Sequence, residues 1–257
     1  MTQPDHPQKA HFSALFDRSA DTYDAVGVDF FEPLAEALVR RAGLEPGMSV
    51  LDLGTGSGAA LRAAAAAVGS AGEVLGVDLA PGMVERTRRE MSHAPQVSVA
   101  LGDAENPPAR AGGWDAAIAA LLLFYLPDPV ASSTRTREVL RSGGVLVAST
   151  FDSPDERWSI VEAALSPYWP PSVGPSHPSG ASPFATVRST EQILRDAGYV
   201  DIDTEIIEHV NTYTDVDHWL RWTWSGGARG MWERVPASDL PAAQSAAKAV
   251  VSSLADA

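Results

Sequence analysis

The stretch Val50-Leu51-Asp52-Leu53-Gly54-Thr55-Gly56-Ser57-Gly58 decides how this 257-residue chain folds. Val50–Leu53 reads as a buried parallel strand that runs straight into glycines at every second position. From Ala59 an alanine-rich apolar run has the make-up of a helix. Strand, glycine turn and helix in that order form the first half of a nucleotide-binding βαβ unit. Glycine lets the backbone approach a ligand without a Cβ in the way and adopt dihedrals closed to other residues. The helix N-terminus behind the turn offers unpaired N–H groups to a negative group.

Two acids narrow the ligand. Asp52 lies inside the strand end, where a pyrophosphate would be repelled and an ammonium group attracted. Leu75-Gly76-Val77-Asp78 reads as the next strand, and its terminal acid can accept hydrogen bonds from both ribose hydroxyls. Ammonium at one end and ribose at the other describe S-adenosylmethionine better than a dinucleotide. A nicotinamide-dependent oxidoreductase expects Gly-x-Gly-x-x-Gly with no acid before it; here the third glycine comes one residue early and Asp52 is present.

On these residues the chain resembles the class I S-adenosylmethionine-dependent methyltransferases. The matching segments are Leu51–Gly58, Gly76-Val-Asp-Leu-Ala-Pro-Gly-Met83, Gly102-Asp-Ala-Glu105 and Leu140-Arg-Ser-Gly-Gly-Val-Leu-Val147, in the family's order and spacing. The resemblance implies a Rossmann-like, doubly wound α/β fold with a mostly parallel sheet, an N-terminal helical cover and a C-terminal helical, aromatic insertion. It divides the chain into a cover at 1–44, a cofactor-binding core at 45–151 and a substrate-side region at 152–257 within the same globular unit. It implies S-adenosylmethionine as cofactor and S-adenosylhomocysteine as product. Asp52, Gly54, Thr55, Gly56 and Gly58 would serve the methionine moiety, with Tyr23 near it. Asp78, flanked by Leu79 and Met83, would serve the ribose. Asp103 would accept from the adenine amino group, the Ala104 N–H would face a ring nitrogen, and Leu121 would border the site.

Composition sets the outer bounds. Net charge is −14 and the pI about 4.7, which argues against nucleic acid or anionic lipid, since phosphate binding needs clustered Lys and Arg. The basic cluster Arg86, Arg88 and Arg89 reads as a solvated helix face. With no cysteine, disulfides, Cys-ligated zinc and a Cys nucleophile are excluded; no metal is expected. Met1–Ala10 carries no apolar signal core, and the run Ala116–Leu126 is too short to span a bilayer. A soluble, cytoplasmic monomer or homodimer is expected.

Elsewhere the pattern predicts disorder over 1–10, a cover helix within His11–Val26, and helices at 29–43, 59–68 and from Pro81. Strands are expected at 73–78, 97–101, 114–120 and 144–150, with a helix at 129–140 between the last two. Residues 152–188, rich in Pro, Ser and aromatics, read as a partly helical insertion. A helix at 190–197, a sixth strand at Tyr199–His209, a Trp-rich helix at 215–224 and a last helix from Pro236 to about 255 follow. The given sequence stops after a helix, so the family's seventh, antiparallel strand is expected to be either absent or cut away.

Methyl transfer from a sulfonium is an in-line displacement, and only a poorly acidic acceptor needs a base. His11, His177, His209 and His218 are the candidate bases, His218 chief among them, and Tyr23 a further candidate. An ionised carboxylate acceptor would need orientation alone, most naturally by an arginine fork. Arg229 and Arg221 lie in the Trp-rich segment, where an arginine either stacks on indoles or anchors an acceptor. As anchor, Arg229 is the side chain whose removal would leave cofactor binding intact and stop turnover.

The aromatic segments further resemble actinobacterial natural-product methyltransferases, in which a His and a Gln stand where this chain has Gly226 and Ala228. The expected function is methyl transfer, chiefly O-methylation, to a small natural product or the carboxylate of a short modified peptide. A non-catalytic cofactor-binding accessory protein is the alternative from another class.

Overall fold

The computed structural model describes residues 6–152, 155–170, 183–184 and 186–255. Its sheet has five strands: β1 (Ser49–Leu53), β2 (Glu73–Asp78), β3 (Val97–Leu101), β4 (Trp114–Ala119) and β5 (Leu140–Ala148). They are ordered β3-β2-β1-β4-β5, with every pairing parallel. All five residues of β1 are buried, which is why Val50–Leu53, Asp52 apart, reads apolar without alternation. Leu51 stands between Leu75 and Ala117 in the register. The chain turns to opposite sides of the sheet beyond β1 and β4, and a crevice opens at their C-terminal ends.

The helices are α1 (Pro7–Ser19), α2 (Phe31–Ala42), α3 (Ala59–Val68), α4 (Pro81–Glu90), α5 (Pro129–Val139), α6 (Glu156–Leu165), α7 (Val187–Asp196), α8 (Val216–Ser225), α9 (Arg229–Glu233) and α10 (Leu240–Ala255). One apolar layer joins Val50, Val74 and Ile118 to Leu61, Ala64 and Val68 of α3 and Leu38 of α2. The alanines of α3 let α2 and the sheet close on it from two sides. The other face packs Leu51, Leu53, Trp114 and Ala117 against Leu126 and Ile193. A third cluster, built on Trp219, Met231 and Trp232 with Val161, Leu165, Ala243 and Ala247, unites α6, α8, α9 and α10.

Three expectations are corrected. Residues 6–10 are ordered: α1 begins at Pro7, where the fixed φ of proline suits a first turn and the His6 ring accepts from the Gln8 N–H at 3.2 Å. No strand forms at Tyr199–His209. Arg41 of α2 takes Asp203 and Glu205 in one fork, and the segment pairs with no strand of the sheet, with Ile206 and Val210 exposed. The Arg86, Arg88 and Arg89 cluster is only partly a solvated face: Arg86 donates to the carbonyls of Ala20 and Tyr23, and Arg88 to that of Val99.

The helix expected at 190–197 begins at Val187, because Thr186 caps it with a reciprocal bond to Ser189. Among the described residues no sixth strand joins the sheet and no strand is antiparallel. Part of the 152–188 insertion (153–154, 171–182 and 185), including Pro171 and His177, lies outside the described residues; α6 is the helix described within it.

Candidate functional site

At the C-terminal ends of β1–β4, beneath α1 and α2, lies a cleft with an empty volume of about 1090 Å³ counted out to its solvent mouth. The glycine turn forms its floor. Gly54 has φ +66°, and a Cβ there would come within 2.7 Å of the Leu122 side chain. Gly56 and Thr55 face the cleft, but Gly58 does not line it. Gly58 is needed for packing instead: at φ +83° its Cα lies so close to α4 that a Cβ would meet Thr87 at 2.9 Å.

Asp52 is 1% exposed and lines the cleft. Its Oδ2 accepts from the Thr55 hydroxyl at 2.6 Å, and Thr55 is itself held by its N–H to the Val77 carbonyl. Its Oδ1 is buried without a hydrogen-bond partner. Burial pushes this carboxyl up to about 7, Thr55 counteracting and Asp78 adding to the rise. A buried acceptor left unpaired is costly, and an ammonium group in the cleft would satisfy it.

Asp78 accepts from the Gly56 N–H and the Ala80 N–H, both at 2.8 Å. Burial raises its carboxyl, against the backbone N–H groups of Ala80, Gly56 and Leu79. The strand-end acid thus pins the glycine turn while its remaining lone pairs face the cleft.

Asp103 and Ala104 border the far end of the cleft, and Leu79 and Met83 line it beside Asp78. Leu121 completes the wall with φ +50°, an uncommon value for a branched residue. Its N–H is held by the Ser149 hydroxyl at 3.0 Å.

From the cover, α1 contributes Lys9, Phe12, Ser13 and Phe16 to the cleft. Tyr23 follows α1 and packs on Phe16 and Phe31, with ring centroids 5.9 and 4.8 Å away. Tyr125, beyond β4, packs edge-on against Phe12 and Phe16. Burial raises both phenols, Tyr23 well above its ordinary value and Tyr125 to about 12, so both remain neutral donors. The Tyr125 hydroxyl and the Tyr23 ring both abut the Gly226-Gly227 backbone, so a Cβ on Gly227 would sit 2.7 Å from that hydroxyl.

Eleven of the residues singled out in the sequence therefore share one cleft: Tyr23, Asp52, Gly54, Thr55, Gly56, Asp78, Leu79, Met83, Asp103, Ala104 and Leu121. Arg229 and His218 are not brought to its wall. Arg229 donates to Glu233 at 2.8 Å and to the Arg18 carbonyl at 3.0 Å, and lies over the Trp224 ring. His218 is buried, its Nε2 2.7 Å from the Val26 carbonyl and its Nδ1 beside Thr214. Arg221, His11 and His209 are exposed. Removing Arg229 by substitution with Ala is accordingly expected to cost about 1 kcal/mol or less of stability and to leave the dissociation constant of S-adenosylhomocysteine within about twofold, checked by thermal denaturation and calorimetry.

Sequence reasoning passed over Lys9 and gave Tyr125 no more than a place in an apolar run. A signal for Lys9 existed: with Phe12, Ser13 and Phe16 it keeps the i, i+3, i+4, i+7 spacing of one helix face.

Three carboxylates and one ammonium line this cleft, which suits a ligand that brings positive charge. Comparison with known proteins agrees. The family described as "Methyltransferase domain" matches residues 50–144. The nocamycin O-methyltransferase of Saccharothrix syringae is 35% identical over 86% of this chain and 84% of its own length. The aklanonic acid methyltransferase of Streptomyces sp. strain C5 is 36% identical over 68% of this chain and 76% of its own. Among solved structures, a SAM-dependent methyltransferase from Aquifex aeolicus shares the fold with TM-score 0.52 and 20% identity, covering 72% of this chain and 87% of that one. An orphaned buried carboxylate oxygen at the glycine turn, a second acid one strand away and these relatives together place the chain in the S-adenosylmethionine-dependent methyltransferase family.

Proposed function

We propose that this protein transfers the methyl group to an ionised oxygen, foremost a carboxylate, of a small aromatic natural-product acid. The observation that carries this is the make-up of the cleft wall. Among the described residues that line it there is no histidine and no arginine, and two neutral phenols stand in an aromatic frame beside the glycine turn. An acceptor that must lose a proton needs a base; an ionised one needs placement alone, worth several kcal/mol of the barrier. The named substrates of the relatives support the same reading: one is called an O-methyltransferase, the other acts on an acid.

When bound, S-adenosylmethionine supplies the electrophilic methyl group and departs as the neutral thioether. The chain's own residues do the rest. Asp52 and the Gly54–Gly56 turn hold the methionine end and Asp78 the ribose. Asp103 accepts from the adenine 6-amino group beside the Ala104 N–H. Tyr125 and Tyr23 donate to the acceptor oxygen, while Phe12, Phe16 and Phe31 exclude water and offer flat apolar surface to a ring system.

The test uses methyl-labelled cofactor and a panel of aromatic carboxylic acids, phenols, alcohols and a peptide with a free C-terminal carboxylate. A methyl ester gives up labelled methanol in mild base; an ether does not. Base-stable product alone would refute a carboxylate acceptor. Tyr125→Phe is expected to lower kcat/KM for the acceptor roughly tenfold, the worth of one hydrogen bond to a charged oxygen, with cofactor affinity unchanged.

A further inference from the structure

Lys9 is a buried lysine, 5% exposed, on the first turns of α1. Its ammonium lies 2.8 Å from Asp103 Oδ2 and 2.8 Å from Glu105 Oε2. Asp103 Oδ1 accepts from the Glu105 N–H at 2.9 Å. Both carboxylate oxygens of Asp103 are thereby fixed, one by the loop itself and one from the cover helix.

We infer that Lys9 is a positioning residue for adenine recognition, holding the Asp103 carboxylate in its accepting orientation from the opposite side of the cleft. The inference rests on the proposal that Asp103 takes the adenine 6-amino group. Two roles compete for Lys9, a clamp that keeps α1 closed and a brace for Asp103, and the other bonds of α1 decide between them. The Ser13 hydroxyl donates to the Leu79 carbonyl at 2.9 Å, and the Gly82 N–H to Asp17 at 2.6 Å. Gln8 donates to the Tyr125 carbonyl, and Arg18 pairs with Glu233. These stay when Lys9 is removed, so the helix stays. What changes is local: Asp103 and Glu105 are left side by side without the cation between them, and like charges in a half-buried place separate. Asp103 then turns away from the position where a purine amino group could donate to it.

The test is calorimetric titration of the full chain with S-adenosyl-L-homocysteine and with S-ribosyl-L-homocysteine, which lacks the base. Lys9→Met is expected to weaken S-adenosylhomocysteine at least tenfold and S-ribosylhomocysteine less than twofold. Lys9→Arg, which keeps the charge, is expected to stay within about threefold of the parent for both. Asp103→Ala is expected to show the same selective loss, and adding Lys9→Met to it a further loss below twofold, because the two side chains act as one.

Lys9→Met that binds S-adenosylhomocysteine like the parent, while Asp103→Ala does not, overturns the role of Lys9 and leaves the Asp103 reading standing. Parent-like binding by both variants overturns both. Equal weakening of the two probes overturns positioning in favour of a clamp. Should Lys9→Met fail to fold by circular dichroism, Lys9→Gln, which removes the charge and keeps a polar chain, takes its place: at least threefold weaker S-adenosylhomocysteine with unchanged S-ribosylhomocysteine supports the inference, and unchanged binding of both refutes it.

Discussion

Asp52→Asn is expected to abolish S-adenosylhomocysteine binding and, at neutral pH, to raise the melting temperature. Both effects come from one cause. The carboxylate is buried, has one oxygen without a partner and is pushed up to about 7 from an ordinary 3.8. Losing the charge that faces the ligand ammonium in a dry site costs about 3 kcal/mol or more, over 100-fold in affinity.

The sign of the stability effect follows from proton counting. Between about pH 4 and pH 7 the native state holds a proton that the unfolded chain has released. Stability from this group therefore falls as pH rises through that window and levels off above it. The shift corresponds to roughly 4 kcal/mol at full value, of which Asn recovers part because its amide must sit where an acceptor sat. A gain of about 1–3 kcal/mol, or roughly 3–10 °C, is the expected reading in differential scanning calorimetry. In the parent, ligand affinity should decline as pH drops below about 7, with a fraction of a proton released per ligand bound near neutral pH, measurable by calorimetry in buffers of different ionisation enthalpy. A variant that binds normally, or one that binds nothing and melts lower, contradicts this account of the turn.

Trp232→Ala is expected to remove about 3–5 kcal/mol of stability, the usual loss for a large aromatic deleted from a core. Trp232 is fully buried, stacks on Trp224 at 6.1 Å and meets Trp219 edge-on at 6.3 Å. Its indole N–H donates to the Thr223 hydroxyl at 3.0 Å, and that hydroxyl donates onward to the Leu220 carbonyl. The loss is therefore mostly cavity rather than an orphaned polar group. Ile160, on α6 and 46% exposed, is the control: its substitution by Ala should stay within about 0.5 kcal/mol. Urea denaturation monitored by circular dichroism reads both. Because Trp232 sits on α9 beside the Arg18–Glu233 pair that ties α1 down, the variant should also bind S-adenosylhomocysteine more weakly.

The central sheet was legible because parallel strands buried on both faces leave an unmistakable pattern. Val50–Leu53 has no polar alternation to confuse it with a surface strand, and glycines follow where the backbone must turn beneath a ligand. Asp52 and Asp78 were legible for chemical reasons, the first as an acid where a phosphate site would have none and the second as the strand-end acid that a ribose calls for. The cover was legible in its aromatic spacing but not in its start: the burial of Lys9 depends on partners about a hundred residues away, and the cap, though local, comes from a histidine ring rather than from a Ser, Thr, Asp or Asn. The same holds for Arg229 and His218. Residue type and tryptophan neighbours suggested chemistry, whereas Glu233, the Arg18 carbonyl and the Val26 carbonyl engage their polar atoms. The strand expected at Tyr199–His209 had the right composition, but strand formation needs an edge to pair with, and this segment, tied to Arg41, pairs with no strand of the sheet.

No tryptophan lines the cleft among the described residues, yet Trp224 lies beneath the guanidinium of Arg229, which is bonded to the backbone of the cover helix at Arg18. The indole of Trp224 is thus linked, through Arg229, to the cover helix rather than to the ligand. Emission from Trp224 is therefore expected to change if ligand binding shifts α1, and a fluorescence titration with a colourless ligand reads it.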